Sequence, residues 1–337
     1  MDNKSWGLPY MGSKNSIAKY IVDVLPRGER LVDLFAGGCA ITDYAFRNTD
    51  KFSKFLINDL NGWSPQTYIN ALAGGFDNAE QWVSREGFFR MKATDPYARI
   101  CFSFGSNCKT YAYSPDIEPY MQALHHIIFW EDYRPMKELC PQVMDIIKDY
   151  CKDKDRKGRR LASGYAIADH IKQKGSIEYW QSNPLFRRVK LKWTPARRGM
   201  SGNKLSENHP EGLEMLERPR VLPSLIALER LQGLEHPAPT IEAANIDYRQ
   251  YEHQDGDVVY CDPPYRNTNG YDGCKFDSDA FWEWARTRNY PVYISEYQAP
   301  EDFVSIWNIE KRALFHGENL TAPKTEHLYV HRNYYDS

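Results

Sequence analysis

The chain has 337 residues, 42% hydrophobic and 26% charged, the composition of a soluble globular protein with room for one large or two ordinary domains. No apolar run reaches the roughly 18 residues of a membrane span. The opening Met1-Asp2-Asn3-Lys4-Ser5-Trp6 lacks the apolar stretch of a secretory signal, and seven scattered cysteines without a Cys-x-x-Cys pair favour neither a zinc site nor a disulfide framework. Net charge is only −2, which on its own argues against a nucleic-acid partner.

Taken in chain order, Ile17, Tyr20, Ile21, Val24 and Leu25 recur at helical spacing, with Asn15 or Ser16 as cap and Pro26 as stop. Arg30–Phe35 reads as a short buried strand, Ala36-Gly37-Gly38 as a turn, Ala40–Phe46 as a helix and Phe55–Asp59 as a second strand. Strand, glycine turn, helix and strand make a βαβ unit, and hence a parallel sheet. Beyond residue 63 the alternation is lost. Helices are expected near Ile117–Phe129 and Met136–Tyr150, and Gly199-Met200-Ser201-Gly202-Asn203 reads as a mobile loop. The α/β pattern resumes after Pro219. Leu222, Leu225, Leu228 and Leu231 lie at helical spacing, followed by strands at Thr240–Ile246 and Val258–Cys261, a helix at Phe281–Thr287, and strands at Val292–Ser295 and His327–His331.

The charge is unevenly spread. Lys148 to Lys204 holds 16 Lys and Arg against 5 Asp and Glu, a local excess of +11 that leaves −13 on the rest. A basic segment on an acidic body is the asymmetry expected where one region meets a polyanion. A charge run alone is more often a solvated loop, but Tyr165, Tyr179, Trp180, Phe186 and Trp193 interleave this one. Disordered polar tracts are poor in aromatics, so an ordered basic subdomain is expected.

Two places carry chemistry. Gly37-Gly38 lies at a strand-to-helix turn where a ligand can approach the backbone, and Asp59, 21 residues further on, ends the next strand where nucleotide-binding folds place a ribose acceptor. Alone, a Gly-Gly turn is most often just a tight connection, and Asp59 could equally be a turn residue before Asn61-Gly62. Asp262-Pro263-Pro264-Tyr265 closes the apolar strand Asp257–Cys261. The Asp262 carboxylate and the Pro263 carbonyl can accept both hydrogens of an exocyclic amine, neither proline has a competing N–H, and the Tyr265 ring can stack on a base. Asp-Pro and Pro-Pro also punctuate plain turns.

Tyr10-Met11-Gly12-Ser13-Lys14, Asp33-Leu34-Phe35-Ala36-Gly37-Gly38, Asn58-Asp59-Leu60-Asn61 and Asp262-Pro263-Pro264-Tyr265 follow one another in an order that resembles the Dam-like, α-class DNA adenine N(6)-methyltransferases. The likeness covers about residues 7–62 and 240–331, and the segment around Ser103–Tyr113 is similar to phage-type members. It implies a Rossmann-like α/β sheet that uses S-adenosylmethionine, split into residues 1–62 and 216–337, with a mostly helical target-recognition region at 63–215. By resemblance, Tyr10 (where Trp is more usual) and Lys14 contact the cofactor, Phe35 and Gly37 line its methionine end, and Asp59 holds the ribose. Asp33 stands where Glu followed by Pro is more common, and Asp247 resembles an Asp-Phe element near the cofactor adenine, or is a strand-end cap. Asp262, Pro263, Pro264 and Tyr265 are the expected catalytic set on a flipped adenine. Lys190, Lys192, Arg197 and Arg198 are the expected phosphate contacts on double-stranded DNA. No metal, membrane or obligatory protein partner is implied, and the expected setting is the cytoplasm of a bacterium or a phage-infected cell. Methylation of RNA adenine and a catalytically silent DNA-binding protein are the alternatives.

Overall fold

The computed structural model describes residues 6–74, 76, 80–174, 176–188, 191–194, 212–215, 240–265, 276–311 and 324–335; for 191–194 and 212–215 only the backbone is described. The chain divides into two compact units, Met1–Phe76 with Ala227–Ser337, and Asp77–Ile226. The first boundary falls after the helix Trp63–Leu72, which the sequence reading assigns to the insertion; this helix packs on the strand Thr240–Ala244 and so stays with the first unit.

The first unit is a seven-stranded sheet. In chain order its strands are β1 (Arg30–Asp33), β2 (Lys54–Asn58), β3 (Thr240–Ala244), β4 (Asp257–Cys261), β5 (Val292–Glu296), β6 (Phe303–Lys311) and β7 (Lys324–His331), in the spatial order β3-β2-β1-β4-β5-β7-β6. The first five neighbours pair in parallel, whereas β7 runs antiparallel to both β5 and β6. The strand β6 is absent from the sequence reading. A register shift between Ser305 and Trp307 breaks its period-two alternation, which is the signal a strand ordinarily gives.

The central parallel strands β1, β4 and β5 are largely buried on both faces, as helices on both sides of a sheet require, whereas the edge strand β3 has no buried residue. Leu31, Val258 and Tyr260 turn to the face covered by α1 (Ala18–Val24) and α2 (Ala40–Asn48), against Ile21, Val22, Ile41 and Ala45. Val32, Val259 and Cys261 turn to the other, against Phe281, Trp282 and Trp284 of α4 (Ser278–Arg286). The helix Trp63–Leu72 is α3. Helix α1 starts without a side-chain cap; Asn15, an expected cap, instead accepts the Trp6 N–H at 3.0 Å. At the amino ends of β1 and β4, the Arg30 guanidinium forks onto Asp257 with two bonds of 2.7 Å. That bidentate clamp fixes the two central strands to each other, so their carboxyl ends open in a defined register, Asp33 opposite Tyr260.

The second unit is mostly helical, with helices at Arg85–Met91, Pro96–Cys101, Glu118–Trp130, Arg134–Leu139, Pro141–Cys151, Arg156–Lys174, Ile177–Gln181 and Pro184–Arg187, and an antiparallel pair Leu191–Thr194 with Gly212–Met215. The single helix expected near Met136–Tyr150 is two. Pro141 has no N–H to continue the first, and Cys140 leaves the helical region at φ −150°, ψ 66°. The basic segment includes a 19-residue helix, Arg156–Lys174. Two of its arginines face inward: Arg159 donates to the Ile128 carbonyl at 2.9 Å and to Glu131 at 2.5 Å, and Arg160 is buried. Among the described residues no helix is long and apolar enough to cross a membrane.

Candidate active site

In the sheet order, connections from β1 and β4 leave toward opposite edges, so a crevice opens beyond the carboxyl ends of these adjacent strands. A cavity of about 550 Å³ occupies that place, within the size range of small-ligand sites. Its wall includes Tyr10, Lys14, Asp33, Phe35, Gly37, Asp59, Asp262 and Pro264, which are separated by up to 254 positions in sequence and gathered by strand pairing and by the docking of the amino-terminal segment on Gly38. Pro263 is buried behind this wall, and Tyr265 lies outside it.

One end of the cavity is built on β2. Asp59 accepts the Gly37 N–H at 2.8 Å through one oxygen and the Asn61 N–H at 2.8 Å through the other, leaving a lone pair on each for a ligand hydroxyl. Gly37 adopts φ +47°, the left-handed region that favours glycine, and the Tyr10 ring stands 3.2 Å from where a Cβ would be. Gly38 also lines the cavity. A Cβ there would lie 2.6 Å from Tyr10 Cβ and 2.8 Å from the Leu8 carbonyl, so this glycine admits the chain's own amino-terminal segment. Asn58 is fully buried and ties β2 to the residue-246 segment, donating to the carbonyls of Leu34 and Ile246 and accepting the Ile246 N–H at 2.9 Å. Phe35, Tyr248 and Phe276 form an aromatic cluster along one wall, with ring centroids 5.4 to 6.3 Å apart. Asp247 caps the turn Tyr248–Gln250 and pairs with Arg249 while also lining the cavity.

The other end belongs to the tetrapeptide. The Lys14 ammonium lies 2.7 Å from Asp262 and 3.3 Å from Glu326, a fully buried residue of β7. Burial works to lower the Lys14 pKa, but the charges and hydrogen bonds of Asp262 and Glu326 more than offset it and hold the ammonium protonated. Tyr265 donates its hydroxyl to the same Glu326 oxygen at 2.7 Å, its ring lies under the Lys14 ammonium at 4.6 Å, and the Tyr297 edge meets it at 4.6 Å. The ring expected to stack on a base is thus packed on Lys14 and Tyr297. Glu326 escapes sequence analysis because a single carboxylate at the start of a strand has no motif around it.

Residues 10–124, which supply the amino-terminal part of this cavity, match the model of the D12 class N6 adenine-specific DNA methyltransferase. That match spans 115 of the 337 residues. No curated protein matches the chain. The D12 segment carries Tyr10 to Asn61 of the cavity wall, and the α/β sheet that surrounds it is the Rossmann-like methyltransferase fold expected from the sequence.

In this cavity the Asp33 carboxyl is raised to about 8 chiefly by burial, with a Thr42 hydroxyl bond at 3.1 Å opposing the shift and the neighbouring charges of Asp262 and Asp59 adding to it. The sign follows from proton counting. Between pH 4 and 8, roughly, the folded state keeps a proton that the unfolded chain has released, so stability falls as pH rises through this window. Denaturant unfolding of the wild type across that range should show this decline, and Asp33→Asn should flatten it. Equal slopes in the two proteins would place the titration elsewhere.

Of the expected DNA contacts, Lys190, Arg197 and Arg198 lie outside the described residues, as do the loop at 199–203 and the leucine helix at 222–231. Lys192 is placed only by its backbone, opposite Glu214 in the antiparallel pair. The described part of the second unit has its own groove of about 480 Å³, lined by Arg85, Tyr111, Tyr113, Arg187 and Arg188 and by Phe104, which is 65% exposed.

Proposed function

We propose that the chain transfers the methyl group of S-adenosylmethionine to the exocyclic amino group of an adenine flipped out of duplex DNA. The observation that carries this reading is the shared cavity, with a nucleotide-type end at Gly37 and Asp59 and an amine-accepting end at Asp262. The donor set suits the cofactor. Asp59 offers acceptors for ribose hydroxyls, Phe35, Tyr248 and Phe276 offer an apolar wall for a purine, and carboxyls outnumber bases around the cavity, which suits a ligand bearing ammonium and sulfonium charges. When bound, S-adenosylmethionine supplies a methyl group already activated by its positive sulfur.

The remaining work is done by the chain. Adenine's amino lone pair is delocalised into its ring, and hydrogen bonds from both amino hydrogens to Asp262 and the Pro263 carbonyl localise it on nitrogen. Orienting the reactants in this way is worth roughly 7–11 kcal/mol in favourable cases. Extruding the base costs a few kcal/mol, offset by contacts in the pocket and to the backbone. Asp262 need not act as a strong base, since the proton leaves after transfer. The groove at Arg85, Arg187 and Arg188 gives the second unit cations and an exposed ring for a nucleic-acid strand. Replacing both Arg187 and Arg188 by alanine should reduce the salt slope of DNA binding by about 0.9 for each phosphate no longer neutralised, measured by fluorescence anisotropy; an unaltered slope would remove these residues from the interface.

Digestion of DNA to nucleosides after incubation with the protein and labelled S-adenosylmethionine tests the reading. N6-methyladenine in duplex DNA, exceeding any product in structured RNA, is expected. Product confined to RNA would move the substrate to RNA, and no product in either would favour the silent fold.

A further inference from the structure

The base-gripping role of Asp262 meets one obstacle: Lys14 already sits 2.7 Å away, on the carboxylate that must accept the adenine amine. A buried ammonium cannot simply be left behind, because an unpaired buried charge is strongly unfavourable. Glu326 resolves this. It is wholly buried, on β7, 3.3 Å from the same ammonium, and its orientation is fixed by the Tyr265 hydroxyl at 2.7 Å. The Tyr265 ring below Lys14 gives the ammonium a further seat on the Glu326 side.

We propose that Glu326 is a positioning residue for methyl transfer: it takes over the Lys14 ammonium and thereby leaves the Asp262 carboxylate to the incoming amine. The inference rests on the adenine-methylation reading above. Two carboxylates share one ammonium at unequal distances, so a shift of Lys14 toward Glu326 exchanges one charge-assisted bond for another while the cation stays paired throughout. No proton or covalent bond changes hands. With Glu326 neutralised, Asp262 becomes the one carboxylate paired with the ammonium among the described residues, and the adenine amine must compete with a full ammonium for it.

Glu326→Gln tests this, since the amide has nearly the same shape and still offers Tyr265 an acceptor. Its kcat on plasmid DNA should fall about tenfold or more, as small misplacements at a reacting centre do, with KM for DNA and S-adenosylmethionine affinity by calorimetry unchanged. Adding Lys14→Gln to that variant should restore part of the lost kcat at saturating cofactor, because no ammonium then occupies Asp262. A merely structural Glu326 would give losses that multiply instead. Glu326→Asp, which keeps the charge, should retain far more kcat than Glu326→Gln and serves if the glutamine variant does not fold. Wild-type kcat in Glu326→Gln, multiplying losses in the double variant, or equal losses in the Asp and Gln variants would each overturn the proposal. A wild-type protein that methylates no adenine would instead count against the underlying function.

Discussion

Asp262→Ala is expected to lower methyl transfer by about 10³-fold, the loss seen when one well-placed polar group facing a transition state is removed, while S-adenosylmethionine binds as before. The separation follows from the cavity. Asp262 stands at the end of β4 with the tetrapeptide, whereas the candidate ribose acceptor Asp59 is held on β2 by its own bonds to Gly37 and Asn61. In the variant Lys14 keeps Glu326 as a counter-ion, so the fold should survive. Asp262→Asn is instructive for a different reason. Its amide can present N–H hydrogens where the adenine amine needs an acceptor, and it no longer balances the ammonium, so most of the loss should remain. Steady-state kinetics on plasmid DNA beside a calorimetric cofactor titration measures both halves. Activity near that of the wild type would remove Asp262 from the reaction.

Asp59→Ala should give the converse result, a cofactor Kd raised by about 10²-fold, in line with the 1.5–3 kcal/mol of a hydrogen bond to a charged group, with a much smaller effect on kcat at saturation. Asp59 is also what holds the Gly37 N–H, so its loss frees the left-handed turn that carries the Tyr10 wall. Asparagine should not rescue it. Two backbone N–H groups, of Gly37 and Asn61, approach opposite oxygens of the carboxylate, and an amide can accept only one of them at full strength while its NH2 meets the other donor. Unchanged affinity in Asp59→Ala would place the cofactor elsewhere.

Much of this arrangement is legible in the sequence because its strongest signals sit where parallel strands end. Arg30–Asp33, Lys54–Asn58 and Asp257–Cys261 are short apolar runs closed by Asp33, Asp59 and Asp262, and a parallel sheet brings such ends to one edge. What the sequence hides has local physical causes. The bulge in Phe303–Lys311 disguises a strand, and Pro141 divides what periodicity reads as one helix. The basic run has the right composition for a polyanion, yet Arg159 spends its charge on Glu131 and the Ile128 carbonyl inside the fold, so composition alone cannot say which cations face outward. Glu326, and the tying role of Asn58, are hidden for a related reason: each acts through partners distant in sequence, Lys14 and Tyr265 for the first, Leu34 and Ile246 for the second.

The most direct test is a crystal structure with sinefungin, the cofactor analogue that carries an amine on carbon where S-adenosylmethionine carries its methylated sulfur. The expected result is density in the β1–β4 cavity, with ribose hydroxyls on Asp59 and the analogue's amine directed at Asp262. Sinefungin bound outside this cavity, or with its amine turned away from Asp262, would contradict a single cleft serving both donor and acceptor of the methyl group.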